Sequence, residues 1–296
     1  MIARVPASSA NLGPGFDTLA LALSLYIEVE AQPAESFMVS SFGEGSNLLP
    51  SESHLGSQVA KKVLGHSNVH LTVRSQIPLG RGLGSSAAFV SACAAAMGSE
   101  DPFAVASEFD GHPENAAASV FGGFVTAVSL ESGYISNRLP VDPELAAVVV
   151  IPSIELATKK ARGVLPESID FRDATFNLGR MGLLIAGLAD LGLLVPEATQ
   201  DRLHQPYRTS LFEESSVILE ALLDSGAIAS CWSGAGPTMI GFCHSSQAAQ
   251  VARMVKQYLG GDGGPYCVKE LKADLSGLVT TDSYGPDFQP LEVASL

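Results

Sequence analysis

The chain of 296 residues carries 17 Lys plus Arg against 31 Asp plus Glu, a formal net charge of −14. Such a negative field repels phosphodiester backbones and anionic headgroups, so neither nucleic acid nor a membrane surface is expected as a partner. With 46% hydrophobic residues the length supports one large or two modest domains. Long apolar stretches such as 181–195 are interrupted by Gly and Asp and are too short to span a bilayer. Four cysteines, Cys93, Cys231, Cys243 and Cys267, form no CxxC pair and sit in apolar contexts. Neither a zinc site nor a disulfide framework is expected, and with no secretory leader read at the N-terminus a cytoplasmic location fits.

In chain order, Ile2 to Val5 open a strand that Pro6 is expected to end, and a polar turn leads into a helix or strand from Asp17. Ser24 to Ala31, Phe37 to Ser41 and Val69 to Arg74 read as strands, with a helix between Ser53 and Leu64. Ala87 to Met97 is an Ala-rich buried helix, for which Ser85 and Ser86 are natural N-caps. Asp101-Pro102 starts a short helix that ends at Gly111, another begins near Glu114, and Gly122-Gly123 precedes a strand at Phe124 to Leu130. Ala146 to Ile151 is a core strand. Helices are predicted over Thr158 to Val164, Thr175 to Leu194 and Ser210 to Asp224. A hairpin of Ile228 to Trp232 and Thr238 to Cys243, a helix Ser246 to Leu259 and a strand near Tyr266 to Leu271 complete a βαβ-like half.

The segment IPLGRGLGSSAA, Ile77 to Ala88, lies between a predicted strand and the Ala-rich helix. Gly80, Gly82 and Gly84 let backbone N–H groups approach an anion without Cβ clashes, and the following helix would aim its positive end at the same place. It is not a Walker A loop, because no Lys follows Gly84, nor a GxGxxG fingerprint, nor a GxSxG elbow. By itself the loop is compatible with a plain tight turn before a core helix.

Two further segments change its meaning: PASSANLGPGFDTLA at Pro6 to Ala20 and SGAGPT at Ser233 to Thr238. In this order, and together with EFDGHPENAAASVFGG at Glu108 to Gly123 and TKKARGVLP at Thr158 to Pro166, the three segments resemble the GHMP kinases, small-molecule phosphotransferases. PASSANLGPGFD is most similar to the signature of the homoserine kinases within that family. The resemblance implies an α+β, two-domain GHMP kinase fold. Residues 1–155 would form an N-terminal, ribosomal protein S5 domain 2-like unit with the phosphate loop, and residues 156–296 a C-terminal ferredoxin-like unit.

It further implies ATP and Mg²⁺ as cofactors and L-homoserine as the small-molecule substrate, phosphorylated on its side-chain hydroxyl for threonine synthesis. Pro78, Leu79, Gly80, Arg81, Gly82, Leu83, Gly84, Ser85 and Ser86, with Gly234 and Gly236, would hold the nucleotide. Ser86 with Glu108 or Asp110 would hold the metal, Glu108 being preferred. Asn11, Asp17, His112, Asn115, Arg162 and Arg208 would bind the amino acid, with Asn11, Asp17 and Asn115 nearest the chemistry. The two arginines suit a carboxylate. Asp17 is expected to bind substrate rather than act as general base. Relatives often carry Asn where this chain has His54-Leu55, which leaves the adenine contacts open. A homodimer through an apolar surface strand is compatible with the sequence. The competing readings are a mevalonate-type kinase of the same family, a serine amidase-like hydrolase built on Ser85-Ser86 with Lys61 or Lys62, and a non-catalytic nucleotide-binding module.

Overall fold

The computed structural model describes residues 1–47, 53–261 and 263–293. Strands β1 (Ile2–Asn11) and β2 (Gly15–Pro33) form the antiparallel spine of the first sheet. The first strand does not stop at Pro6. Pro6 faces Tyr26 whereas Ala7 faces Leu23, so Ser24 and Leu25 are left over in β2 and the ladder continues past the proline through this bulge. The bulge carries β1 on to Asn11, and with it the PASSAN segment becomes a buried strand end rather than a surface turn.

β3 (Met38–Gly43) runs parallel to β4 (Val69–Ser75), which pairs with the second half of β2, while the first half of β2 pairs with β5 (Phe124–Leu130). β6 (Gly133–Leu139) forms a hairpin with β5, and β11 (Val279–Thr281) returns from the C-terminal region to the outer edge of β1. Helices α1 (Leu55–Leu64), α2 (Ser85–Ala96), α3 (Pro102–Asp110) and α4 (Glu114–Phe121) pack with this sheet, α2 and α4 directly against β1 and β2. Nine of the twelve residues of α2 are buried, Ala87, Ala88, Ala92, Ala94, Ala95 and Ala96 among them. The small alanine side chain lets the helix lie close to the sheet and to its flanking helices at once. The expected start and stop of α3 hold: Asp101 accepts from Ala104 N, and Gly111 closes the helix with φ of 78°.

β7 (Leu145–Pro152), β8 (Ala229–Trp232), β9 (Met239–His244) and β10 (Tyr266–Lys272) form a second, antiparallel sheet in the order β10-β7-β9-β8. With α9 (Ala248–Tyr258) linking β9 to β10, this is the expected ferredoxin-like arrangement. β7 is buried on both faces, which is why it reads as a continuous apolar run. Ala147, Val149 and Ile151 belong to the core shared with the first sheet, whereas Ala146, Val148 and Val150 join a second core around Trp232, Phe212 and Ile218.

Between β7 and β8 lie α5 (Thr158–Arg162), α6 (Phe171–Ala189), the single turn α7 (Gln205–Arg208) and α8 (Ser215–Asp224). The helix expected from Ser210 therefore begins five residues later, after a 3-10 turn at Thr209–Leu211. All four cysteines are free; three are buried, but Cys267, expected in an apolar setting, is exposed. Among the described residues no helix is long and apolar enough to cross a membrane.

Candidate active site

Three segments far apart in sequence meet at one point. β1 ends in a turn with Asn11, Leu12 and Gly13 at φ of 68°, 52° and 85°. A left-handed Asn is tolerated because its short amide bonds locally. Here Oδ1 accepts from Asp17 N (3.0 Å) and Nδ2 donates to Gly234 O (2.9 Å). Gly234 N donates to Ala10 O (2.9 Å), Ser8 N to Leu83 O (3.1 Å) and Thr238 N to Arg81 O (3.3 Å). Ser233 Oγ donates to Gly82 O (2.6 Å) and lies 2.8 Å from Ser9 Oγ. The N-terminal strand, the glycine loop and the β8–β9 turn are thus one hydrogen-bonded unit.

Gly80, Gly82 and Gly84 have φ of 63°, 75° and 66°. The last two also lack room for a side chain, since a Cβ would lie 2.2 Å from Ser233 O at Gly82 and 2.0 Å from Ser8 Oγ at Gly84. Gly84, not either serine, is the N-cap of α2, and no side chain caps this helix end. Ser85 and Ser86 are instead in its first turn, where backbone N–H groups have no intrahelical partner and suit an anion.

The loop forms one side of a cleft of about 270 Å³. Of the expected residues, Asn11, Asp17, Gly80, Arg81, Gly82, Gly84, Ser85, Ser86, Asp110, His112, Asn115, Arg162, Arg208 and Gly234 line it. Leu83 is buried in the core instead, Gly236 packs against the Trp232 ring, and Pro78 and Leu79 face neighbouring depressions. Glu108, the preferred metal ligand, does not line the cleft: its side chain is 58% exposed and pairs with Lys62 Nζ at 2.8 Å. Asp110 lies on the wall and accepts from Ser86 Oγ at 2.9 Å. The same pair takes Lys62 away from Ser85 and Ser86, so no bond of Lys62 supports the hydrolase reading.

Burial raises the Asp110 carboxyl above its usual range, partly offset by the Ser86 hydroxyl and His112. Burial lowers His112, but the carboxylates of Glu114 (Oε1 2.9 Å from Nδ1) and Asp110 outweigh it and its net shift is upward. Asn115 Oδ1 accepts from Ser8 Oγ at 2.9 Å, fixing the HPEN turn to β1.

Opposite the loop, Arg162 makes a two-pronged pair with Asp17, Nη1 to Oδ2 at 2.9 Å and Nη2 to Oδ1 at 2.6 Å. Arg208 is 1% exposed, with Nη1 donating to Gly234 O (2.9 Å) and Nε to Ala161 O (3.3 Å). Among the described residues no carboxylate lies within 4 Å of it. Burial, and then the nearby Arg162 charge, bring its pKa down to about 10. Both guanidinium groups lie over the Phe16 ring, at 5.4 and 5.5 Å from its centre. Phe16 and the hydroxyl of Ser8 were not singled out from sequence, although both lie inside the quoted PASSANLGPGFDTLA motif.

Next to the cleft, sharing Ser85 and Ser86 with it, is an apolar pocket of about 250 Å³ walled by Ile27, Leu55, Val73, Leu79, Phe89 and His54. His54 Nδ1 accepts from Gly56 N (3.1 Å), so its proton sits on Nε2.

Residues 54–123 match the family model GHMP kinases N terminal domain, and residues 180–261 match GHMP kinases C terminal. The homoserine kinase of Moorella thermoacetica is 36% identical over 94% of this chain and 99% of its own length, and that of Thermus thermophilus is 40% identical over 88% and 92%. A crystal structure of homoserine kinase from Cytophaga hutchinsonii superposes with a TM-score of 0.80 at 26% identity, covering 94% of this chain and 96% of that one. The glycine loop locked to both neighbouring motifs and these matches over nearly the whole length agree, and the chain belongs to the GHMP kinase family.

Proposed function

We propose that this protein transfers the γ-phosphoryl group of ATP to the side-chain hydroxyl of L-homoserine, giving O-phospho-L-homoserine in the cytoplasm. The observation that carries this reading is the cleft itself, which sets an anion cradle against an acid and two guanidinium groups, Asp17, Arg162 and Arg208. A zwitterionic amino acid needs that set: cations for its carboxylate and an acid for its ammonium. Mevalonate has no ammonium to engage Asp17. In this reading residues 1–155 supply the donor site and the HPEN turn, and residues 156–296 supply the arginines and Gly234. A second copy of the chain is the remaining expected partner.

The loop amides, the N-terminus of α2 and the glycine positions that exclude a Cβ fit a triphosphate, while the adjoining apolar pocket suits its nucleobase. Ser86 and Asp110 offer two hard oxygen donors, a set that fits Mg²⁺ completed by phosphate and water. Bound there, the ion would neutralise charge on the β- and γ-phosphates. In the transfer the homoserine oxygen bonds to the γ-phosphorus as the bond to the bridging oxygen breaks. ADP leaves with that oxygen, and the hydroxyl proton passes to a phosphoryl oxygen or to water. Positioning supplies most of the catalysis. Both oxygens of Asp17 are engaged by Arg162, which suits a counter-charge better than a proton acceptor.

A coupled assay with ATP, Mg²⁺ and homoserine, mevalonate or sugars tests the reading; no ATP-dependent turnover of homoserine would overturn it. Asp110→Asn is expected to lower kcat ~10²-fold at fixed Mg²⁺ and to raise the Mg²⁺ requirement, with Glu108→Gln within ~2-fold of wild type. The reverse order would restore Glu108 as the ligand. Asp17→Asn is expected to raise the homoserine KM ~10- to 50-fold with kcat nearly preserved, whereas a ~10²-fold fall in kcat would make Asp17 the base.

A further inference from the structure

We infer that His204, which no motif singled out, is a positioning residue: one imidazole aims the Arg208 guanidinium and pins the N-terminal turn that carries Asn11 and Asp17. The inference rests on Arg208 being the carboxylate clamp of the homoserine site. His204 is fully buried, and each ring nitrogen has one hydrogen-bond partner, with Asp201 Oδ2 standing farther off at 3.6 Å from Nε2. Nδ1 lies 3.0 Å from Arg208 Nη1, and Nε2 lies 2.7 Å from Gly13 O. These partners dictate the tautomer. A guanidinium only donates, so Nδ1 accepts; a carbonyl only accepts, so Nε2 carries the proton. There is no place for a second proton beside Arg208. Burial first, and the Arg208 charge with it, pull the His204 pKa down to about 4 against the opposing pull of Asp201 and Asp17.

The ring is itself held. Asp201 accepts from the backbone N–H of Leu203 (2.8 Å), His204 (2.9 Å) and Gln205 (2.6 Å), and Asn177 Nδ2 donates to Asp201 Oδ1 (2.6 Å). This cap fixes the turn entering α7, so His204 and Arg208 stand one helical turn apart on the same side. The imidazole also stacks on Phe16 at 5.3 Å, the ring over which both guanidinium groups lie. On the far side the turn has no slack, because a Cβ at Gly13 would lie 2.2 Å from Thr199 O. The histidine therefore transmits position between two parts of the amino-acid site: the arginine from α7 and the turn after β1. It touches neither nucleotide loop nor metal ligand, so its effect should fall on one substrate.

Steady-state kinetics of the full chain separate this role from a merely structural one. His204→Phe keeps the ring against Phe16 and removes both polar partners; His204→Gln keeps an acceptor and a donor at similar spacing. His204→Phe is expected to raise the homoserine KM ~10- to 100-fold with the ATP KM within ~3-fold, and His204→Gln to bring the homoserine KM back to within ~5-fold of wild type. Equal rises in both KM values, or a Gln variant as impaired as the Phe variant, overturn the inference. Should the Phe chain not fold, His204→Asn replaces it. Its shorter amide reaches one partner but not both, so a homoserine-selective rise is expected and an unchanged homoserine KM overturns the inference. Imidazole ¹⁵N shifts of the ligand-free wild type give a reading independent of substrate: a neutral Nε2–H ring from pH 5 to 8 is expected, and titration near pH 6.5 overturns the assignment. Failure of the wild type to use homoserine would instead defeat the function on which the inference rests.

Discussion

Replacing Gly82 by alanine is expected to lower kcat/KM ~10³-fold for ATP and homoserine alike, and to lower the melting temperature. Gly82 sits at φ of 75°, where an L side chain strains the backbone by ~1–2 kcal/mol. The larger effect is contact. The new methyl would lie 2.2 Å from Ser233 O and 2.9 Å from both N and O of Gly236. These are backbone atoms of a turn that is bonded to the loop through Ser233 Oγ and Gly82 O, so no rotamer change relieves the clash. Either the β8–β9 turn moves away, carrying Gly234 and the Asn11 and Arg208 bonds with it, or the glycine loop does. A displacement of ~1 Å at phosphate-holding amides costs of the order of 10²-fold, and loss of a donor as much again. Gly80 provides the contrast. Its φ is 63°, but the nearest atoms a Cβ there would meet belong to the flexible Glu155 side chain, at 3.5 Å and beyond. Gly80→Ala should therefore be several-fold milder than Gly82→Ala, and equal damage at both positions would show that backbone conformation, not the contact with the turn, decides the effect.

That the SGAGPT turn approaches the phosphate loop and stabilises it is implied by the family resemblance, but which atoms touch was not legible from sequence. What periodicity and caps convey is local, and where structure here is locally determined the reading holds. The Asp101-Pro102 start of α3, the Gly122-Gly123 break before β5 and the apolar run of β7 all appear where expected. Pro6 misled because a proline ends a strand only when no bulge receives it, and the bulge lies in the partner strand, 18 residues away at Ser24. α7 was missed because four residues carry no periodicity, and β11 because three do not. The candidate site divides the same way. Residue types and spacing pointed to a phosphate loop, and the family resemblance to a carboxylate before HPEN and to two arginines. Which of Glu108 and Asp110 faces the cleft depends on where α3 ends, since two residues of helix turn a side chain through ~200°. Glu108 consequently points to Lys62, and Asp110 to Ser86. His204 lies in the same short stretch as Arg208 but was given no role there: a histidine four residues before an arginine is ordinary until the fold brings Gly13 beneath it.

Arg208→Met should lower kcat/KM for homoserine ~10³-fold, about 4 kcal/mol of lost transition-state binding, while the ATP KM stays within a few-fold. The side chain is 1% exposed on the cleft wall, and among the described residues no carboxylate pairs with it within 4 Å, although Asp17 and Asp201 act on its charge from farther off. A buried cation without a counter-ion in contact is costly to keep. Its pKa, lowered to about 10, records that cost, yet the group is still charged at neutral pH. Arg162 differs, because its fork is already filled by Asp17. The incoming carboxylate thus meets one guanidinium with unspent charge and one that must first share its partner, and the amino acid's own ammonium is the group that can take Asp17 over. Removing Arg208 leaves only the second route. Lysine should restore little, since one ammonium cannot hold Gly234 O and Ala161 O and also present a fork to the substrate. Thermal melts with and without ligands give the deciding measurement. In wild type both homoserine and ATP with Mg²⁺ should raise the melting temperature; in Arg208→Met the homoserine increment should vanish and the ATP increment persist. If homoserine still stabilised the Met variant as it does wild type, the carboxylate would be bound elsewhere, and the division of the two arginines into a free clamp and an engaged one would be wrong.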